Sequence, residues 1–300
     1  MTEITEICSG LQFPEGPIAM PDGSILVVEI KRGTLTRVQP DGTMEVVAEV
    51  GGGPNGAAIG PDGACYICNN GGFKWIERSG LLYPGEQPAD YSGGRIERVD
   101  LKTGEVTVLY TSCDGVGLRG PNDIVFDQDG GFWFTDHGKL RPRDKDRTGV
   151  FYAKADGSHI EEAIFPLEGP NGIGLSPAED ELYVAETPTG RTWAYRISAP
   201  GTLTGERRML AQIPDHHMFD SLAIDAEGNV CVATLLTGGI TVHSADGERA
   251  QLIPMPDILT TNICFGGEDL RTAYITLSST GRLVSVPWHC PGLPLNFLNK

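Results

Sequence analysis

PNDIVFDQDGGFWFTDHG, residues 121–138, is the stretch on which the fold turns. It reads as a polar residue, a short apolar strand, a tight QDGG turn and a second strand crowded with aromatic side chains. The succession returns as PNGAAIGPDGACYICNNGG (54–72) and PNGIGLSPAEDELYVAETPTG (170–190). Looser copies are PEGPIAMPDGSILVVEIKRG (14–33), FDSLAIDAEGNVCVATLLTGG (219–239) and TNICFGGEDLRTAYITLSSTG (261–281). After the glycine ending each copy comes a third strand, as in GTLTRVQ or GRIERVD, and most units add a fourth, such as GEVTVLY.

Four antiparallel strands repeated six times, without helical periodicity, predict an all-β chain folded as a six-bladed β-propeller. The last unit runs out of chain after GRLVSVPWHCPG, while TEITEICSGL forms a spare strand before the first copy. The N-terminal strand is therefore expected to complete the last blade, because closure removes an exposed sheet edge. Residues 1–300 then form one domain.

Composition bounds the function. Forty Asp plus Glu against 23 Lys plus Arg give a formal charge of -17, which repels polyanions and argues against a nucleic-acid partner. MTEITEICSGLQFPEGP lacks the features of a secretion signal, and no stretch approaches a membrane span, so a cytoplasmic protein is expected. Cys65 and Cys68 make a CxxC, but three-residue spacing in a strand points the thiols to opposite faces.

In a propeller the first strand of each blade lies nearest the axis, so the polar residue before it faces a common mouth. Those residues are Glu15, Asn55, Asn122, Asn171, Asp220 and Asn262. Asn and Asp also make turns, most readily where glycine follows, as at Asn55 and Asn171. A ring of carboxylates and amide oxygens without Lys nevertheless suits one hard divalent cation, Ca²⁺ first, with Mg²⁺, Mn²⁺ or Zn²⁺ as alternatives. The second strands return to the mouth, where Glu29, Asn69, Asn70, His137, Glu186 and Ser278 are expected to overhang it. His216 and His217, just before Asp220, are further candidates. Two of these exits are enlarged: residues 72–94, with Phe73, Trp75, Leu81, Leu82 and Tyr83, read as an apolar lid or as a small core of their own, and KLRPRDKDR (139–147) is charged.

With these motifs the chain resembles the senescence marker protein and gluconolactonase family, which includes regucalcin, bacterial sugar lactonases and diisopropyl fluorophosphatase. The likeness covers residues 3 to 290. It implies a metal held by Glu15 of FPEGP, Asn122 of GPNDIVFD, Asn171 of GPNGIGLS and Asp220 of FDSLAID, with Asn55 and Asn262 behind them. It also implies a metal-dependent lactonase acting on a small lactone or ester, as monomer or homodimer. Asp220 is then the general base, or else a nucleophile, and His137 donates to substrate or shuttles a proton. Asn55, Asp123, Asn262, Trp75 and Arg119 are candidates for substrate binding. Asp123 reads equally as a turn anchor. Where regucalcin-like lactonases carry an Arg this chain has Gly120, with Arg119 one place earlier, and together with the apolar insertion this points to a lactone bulkier or less polar than a sugar-acid lactone, which stays the alternative. The rival readings are an aryl esterase or organophosphate hydrolase on the same metal, and a non-catalytic calcium-binding propeller.

Overall fold

A computed structural model describes residues 3–212 and 217–300. It contains six four-stranded antiparallel sheets arranged as the blades of a propeller. The inner strands are Pro14–Ala19, Pro54–Ile59, Pro121–Phe126, Pro170–Leu175, Met218–Ile224 and Thr260–Gly266. Five blades run outward in chain order, and Thr5–Ser9 pairs with Arg282–Pro287 to complete the sixth. Among the described residues no helix is long and apolar enough to cross a membrane.

The second strand of each blade is packed on both faces. Ile25–Glu29, Cys65–Asn69 and Gly131–Asp136 are buried throughout, whereas outer strands such as Ala250–Pro254 are mostly exposed. The apolar layers lie between blades: Tyr66 of the second blade meets Phe126 and Phe132 of the third. Burying aromatic surface between neighbouring sheets is what fixes the ring. Cys65 packs toward the first blade with Leu26 and Val28, and Cys68 toward the third with Ile124 and Phe134, on opposite faces as the spacing required.

Among the segments outside the blades, two cross the ends of the axis or pack beside them. Within the insertion, Trp75–Arg78 and Leu81–Pro84 form a hairpin. It packs Phe73, Trp75, Leu82 and Tyr83 against Phe13, Ile30, Leu259 and Leu235 of blades one, six and five. Leu82 N donates to Ser279 O at 3.0 Å, and Lys31 pairs with Glu77 at 2.8 Å. The C-terminal segment after Pro287 crosses the opposite end of the axis, where Leu293 N donates to Ile224 O and Asn296 Nδ2 to Phe126 O.

Candidate metal centre at the propeller axis

The structure brings Glu15, Asn55, Asn122, Asn171, Asp220 and Asn262 together at the axial end of the inner strands, each between 2% and 9% exposed. Sequence reasoning put them just before those strands; they stand within them, at the second or third residue. The reason is a pairing irregularity in every blade, for example between Glu15 and Ile18, Asn122's neighbours Pro121 and Ile124, and Phe219 and Leu222. A bulge of this kind re-aims a side chain without ending the strand, and it turns each polar residue toward the axis.

The glycines that follow ring residues serve close approach rather than turns. A Cβ on Gly16 would lie 2.7 Å from Asn55 O, and one on Gly172 would lie 2.7 Å from both Asp220 O and Leu222 N. Neighbouring inner strands touch there, so only a hydrogen fits.

Polar partners distinguish the ring members. Asn262 spends its amide: Nδ2 donates to Glu15 Oε2 at 2.9 Å, and Oδ1 accepts from Ile263 N at 2.7 Å. Gly16 N also donates to Glu15 Oε2. Asn171 Nδ2 donates to Thr187 Oγ1 at 3.0 Å, yet Asn171 Oδ1 and Asn122 Oδ1 are buried with no partner among the described residues. A buried carbonyl oxygen without a donor is costly. Beside them, burial pushes the Glu15 carboxyl up to about 7. Burial, then Glu15's charge, pushes Asp220 well above its ordinary value. Two carboxylates and two free amide oxygens are the hard donor set that a divalent cation satisfies, and its charge would relieve their mutual repulsion.

Asp123, adjacent to Asn122, is buried and pushed up to about 7 by burial, with Glu15's charge adding to it. Its Oδ1 accepts from Ile124 N at 3.0 Å, so the anchor role read for it is present. Below the ring the axis opens into a cavity of about 210 Å³ with mostly apolar walls, ending on the C-terminal segment at Leu293 and Leu298.

Most strand-exit residues do not overhang the mouth. Glu29 Oε2 accepts from Gln12 N at 2.7 Å, Asn69 Oδ1 from Gly53 N at 2.9 Å, and Glu186 Oε1 from Glu168 N at 2.9 Å. Each turns back to satisfy the loop that enters its own blade, a backbone donor that would otherwise be buried unpaired. Asp136, which sequence reasoning passed over, does the same for Gly120 N and Arg119 N at 2.7 Å. Ser278 ties Thr261 and Pro14 O. Asn70 accepts from Gly72 N at 2.7 Å within the start of the insertion.

His137 is half-buried, and Nδ1 has no partner among the described residues. Burial, reinforced by the Lys139 charge, pushes the ring down to about 4. Arg119 is exposed, with its carbonyl accepting from Tyr91 OH. Trp75 packs tilted against Phe13, ring centroids 5.1 Å apart, rather than in a core confined to the insertion. His217 Nδ1 lies 2.8 Å from Thr237 Oγ1, and His216 is outside the described residues. Sequence reasoning also missed Lys139, a buried lysine whose Nζ donates to Gly72 O at 2.7 Å and Asn70 Oδ1 at 3.2 Å. Only its place in a charged insertion hinted at it.

A profile described as SMP-30/Gluconolactonase/LRE-like region matches residues 13–279. A gluconolactonase of Zymomonas mobilis is 27% identical over 92% of this chain and 79% of its own. A diisopropyl-fluorophosphatase of Loligo vulgaris is 26% identical over 91% and 82%. Among solved structures, a gluconolactonase of Xanthomonas campestris superposes with a TM-score of 0.76 at 23% identity, covering 95% of this chain and 89% of the other. A calcium-binding regucalcin of Agrobacterium tumefaciens also reaches 0.76, at 18% identity and 98% coverage of both chains.

Proposed function

Since the chain belongs to the SMP-30/gluconolactonase/LRE-like family, we propose that it is a metal-dependent hydrolase that opens lactones at the axial ring. The observation that carries this reading is the pair of unpartnered oxygens, Asn122 Oδ1 and Asn171 Oδ1, beside two buried carboxyls. Glu15, Asn122, Asn171 and Asp220 would hold the ion, with Ca²⁺ preferred because all four donors are oxygen. When bound, the cation supplies Lewis acidity toward an ester carbonyl and its developing negative charge. The relatives named gluconolactonase and lactonase supply the substrate class.

Asp220 is the proton acceptor. Its carboxylate, buried at the ring, would take the proton from attacking water as general base. Asn262 holds Glu15 in place and contributes no free oxygen of its own. His137 is neutral near pH 7, since burial holds its ring near 4, and its Nδ1, without a partner among the described residues, is left as an acceptor. It positions a substrate hydroxyl rather than donating a proton.

The hairpin of residues 75–84 acts as the lid. Its apolar side meets blades one, five and six, a position from which it excludes water and favours a lactone with apolar substituents. Phosphotriester hydrolysis is the second reading, favoured by the relative named diisopropyl-fluorophosphatase.

The test is a panel of lactones, aryl esters and phosphotriesters with chelated protein reloaded with Ca²⁺, Mn²⁺ or Zn²⁺. Lactone turnover that returns with metal and drops about 10³-fold or more in Asp220→Asn is expected. Turnover of phosphotriesters alone, or activity indifferent to both chelation and Asp220→Asn, overturns the proposal.

A further inference from the structure

The C-terminal segment carries a second group of metal-ligating side chains, far from the ring. Asp225 closes the turn between Met218–Ile224 and Val230–Leu235 in the fifth blade and is fully buried. Its Oδ1 accepts from Glu227 N at 3.0 Å and Asn229 N at 2.9 Å, and Oδ2 accepts from Asn229 Nδ2 at 2.8 Å. His289 Nε2 lies 3.8 Å from Oδ2. Cys290, buried, completes the group: one donor atom from each of the three residues lies within 4.8 Å of the others.

We propose that Asp225, His289 and Cys290 form a second cation site, of the zinc class, which clamps the C-terminal segment across the far end of the axial cavity. A carboxylate, an imidazole and a thiolate are ligands that zinc accepts together, and its bonds of about 2.0–2.3 Å at tetrahedral angles place donors roughly 3.3–3.6 Å apart. The 3.8 Å between His289 Nε2 and Asp225 Oδ2 is already near that spacing, the remaining separations lie within 4.8 Å, and the His289 ring is 54% exposed. Oxygen-seeking Ca²⁺ is disfavoured by the thiolate, so the two sites sort different metals.

The backbone around the ligands is already fixed. Ala226 N donates to Pro291 O at 2.8 Å, Gly292 N to Leu270 O at 2.8 Å, and Trp288 N to Arg271 O at 2.7 Å. Arg271 Nη1 also donates to His289 O. Binding therefore costs little ordering of the chain. The exposed side of His289 gives the ion access and leaves the fourth position to water. Cys290 gives up its proton on binding, so affinity falls as pH falls. The segment so held lines the cavity floor and reaches Glu179 through Asn296 and Lys300.

The experiment removes the ring first. A Glu15→Gln/Asp220→Asn protein, dialysed against Zn²⁺, is expected to keep one equivalent, and to lose it when Cys290→Ser is added. Titration of the same background with Co²⁺ should give a thiolate-to-cobalt charge-transfer band in the near ultraviolet. His289→Ala, a change at an exposed ring, should weaken Zn²⁺ by about tenfold or more. A folded background protein that binds no zinc, zinc retained after Cys290→Ser, or unchanged affinity in His289→Ala each overturns the site. None of these readouts depends on lactone hydrolysis, so the ring and the clamp stand or fall separately.

Discussion

Asn262 Nδ2 donates to Glu15 Oε2 at 2.9 Å, joining residues 247 positions apart in the chain. The bond links the inner strand of the last blade to that of the first, so the seam of the propeller also orients a ring carboxylate. Asn262→Leu removes the donor while keeping bulk. Calcium affinity measured by calorimetry is expected to fall about 10–100-fold with the fold intact; unchanged affinity would mean that Gly16 N alone suffices.

Glu15 and Asp123 share a buried site, and both are pushed up to about 7. The folded state then holds protons that the unfolded chain releases near pH 4. The stability these two groups contribute to the metal-free protein should be complete below that value and be lost as pH rises through about 7, on the order of 3 kcal/mol for each group. Thermal unfolding in chelator at pH 5 and pH 8 checks the sign. Glu15→Gln should flatten the profile, and saturating Ca²⁺ should reverse the loss at pH 8.

His243 has the opposite sign. It is fully covered, neither ring nitrogen has a partner among the described residues, and burial pushes it down to about 4. Its stabilising neutrality is complete above the unfolded value near 6.5 and is lost as pH falls toward 4. His243→Leu, packed against Phe219, should resist acid better than the parent in denaturant unfolding at pH 4.5. The remaining acid sensitivity would come in part from His137, also held near 4.

Gly172→Ala drives a methyl group into Asp220 O and Leu222 N, backbone atoms that cannot step aside. A loss of about 1–3 kcal/mol is expected in urea unfolding, with weaker metal binding because the strand carrying Asp220 must shift. Full stability would mean the inner strands are less tightly apposed than the geometry indicates.

Lys139 ties the third blade to the insertion through Gly72 O and lies 4.2 Å above the Phe73 ring. Lys139→Met preserves the packing and removes both hydrogen bonds. Limited proteolysis at the hairpin tip near Ser79 should quicken several-fold, and KM for bulky lactones should rise more than kcat falls. An unchanged cleavage rate would show that the contacts with Phe13 and Leu259 hold the hairpin unaided.

The propeller was legible because its signals are local and repeated six times. Alternating strands, PDG-type turns and a spare N-terminal strand needed no knowledge of distant contacts. The ring was legible by its place in the repeat, and its six residues are buried within the inner strands. The strand exits misled because a polar residue at a mouth looks the same in sequence whether it faces a ligand or, like Glu29 and Asn69, satisfies its own loop.

The sequence by itself determined six blades, their closure and which residue types gather at the axis, since strand period and turn chemistry act over a few neighbours. Only the tertiary structure decided which ring oxygens are free, because Asn122, Asn171 and Asn262 are chemically alike and differ only in the donors their neighbours bring. It alone also placed Lys139 against the insertion and set His289 and Cys290 beside Asp225. Those meetings depend on how loops cross the ends of the ring, and no local pattern encodes the distance between two loops.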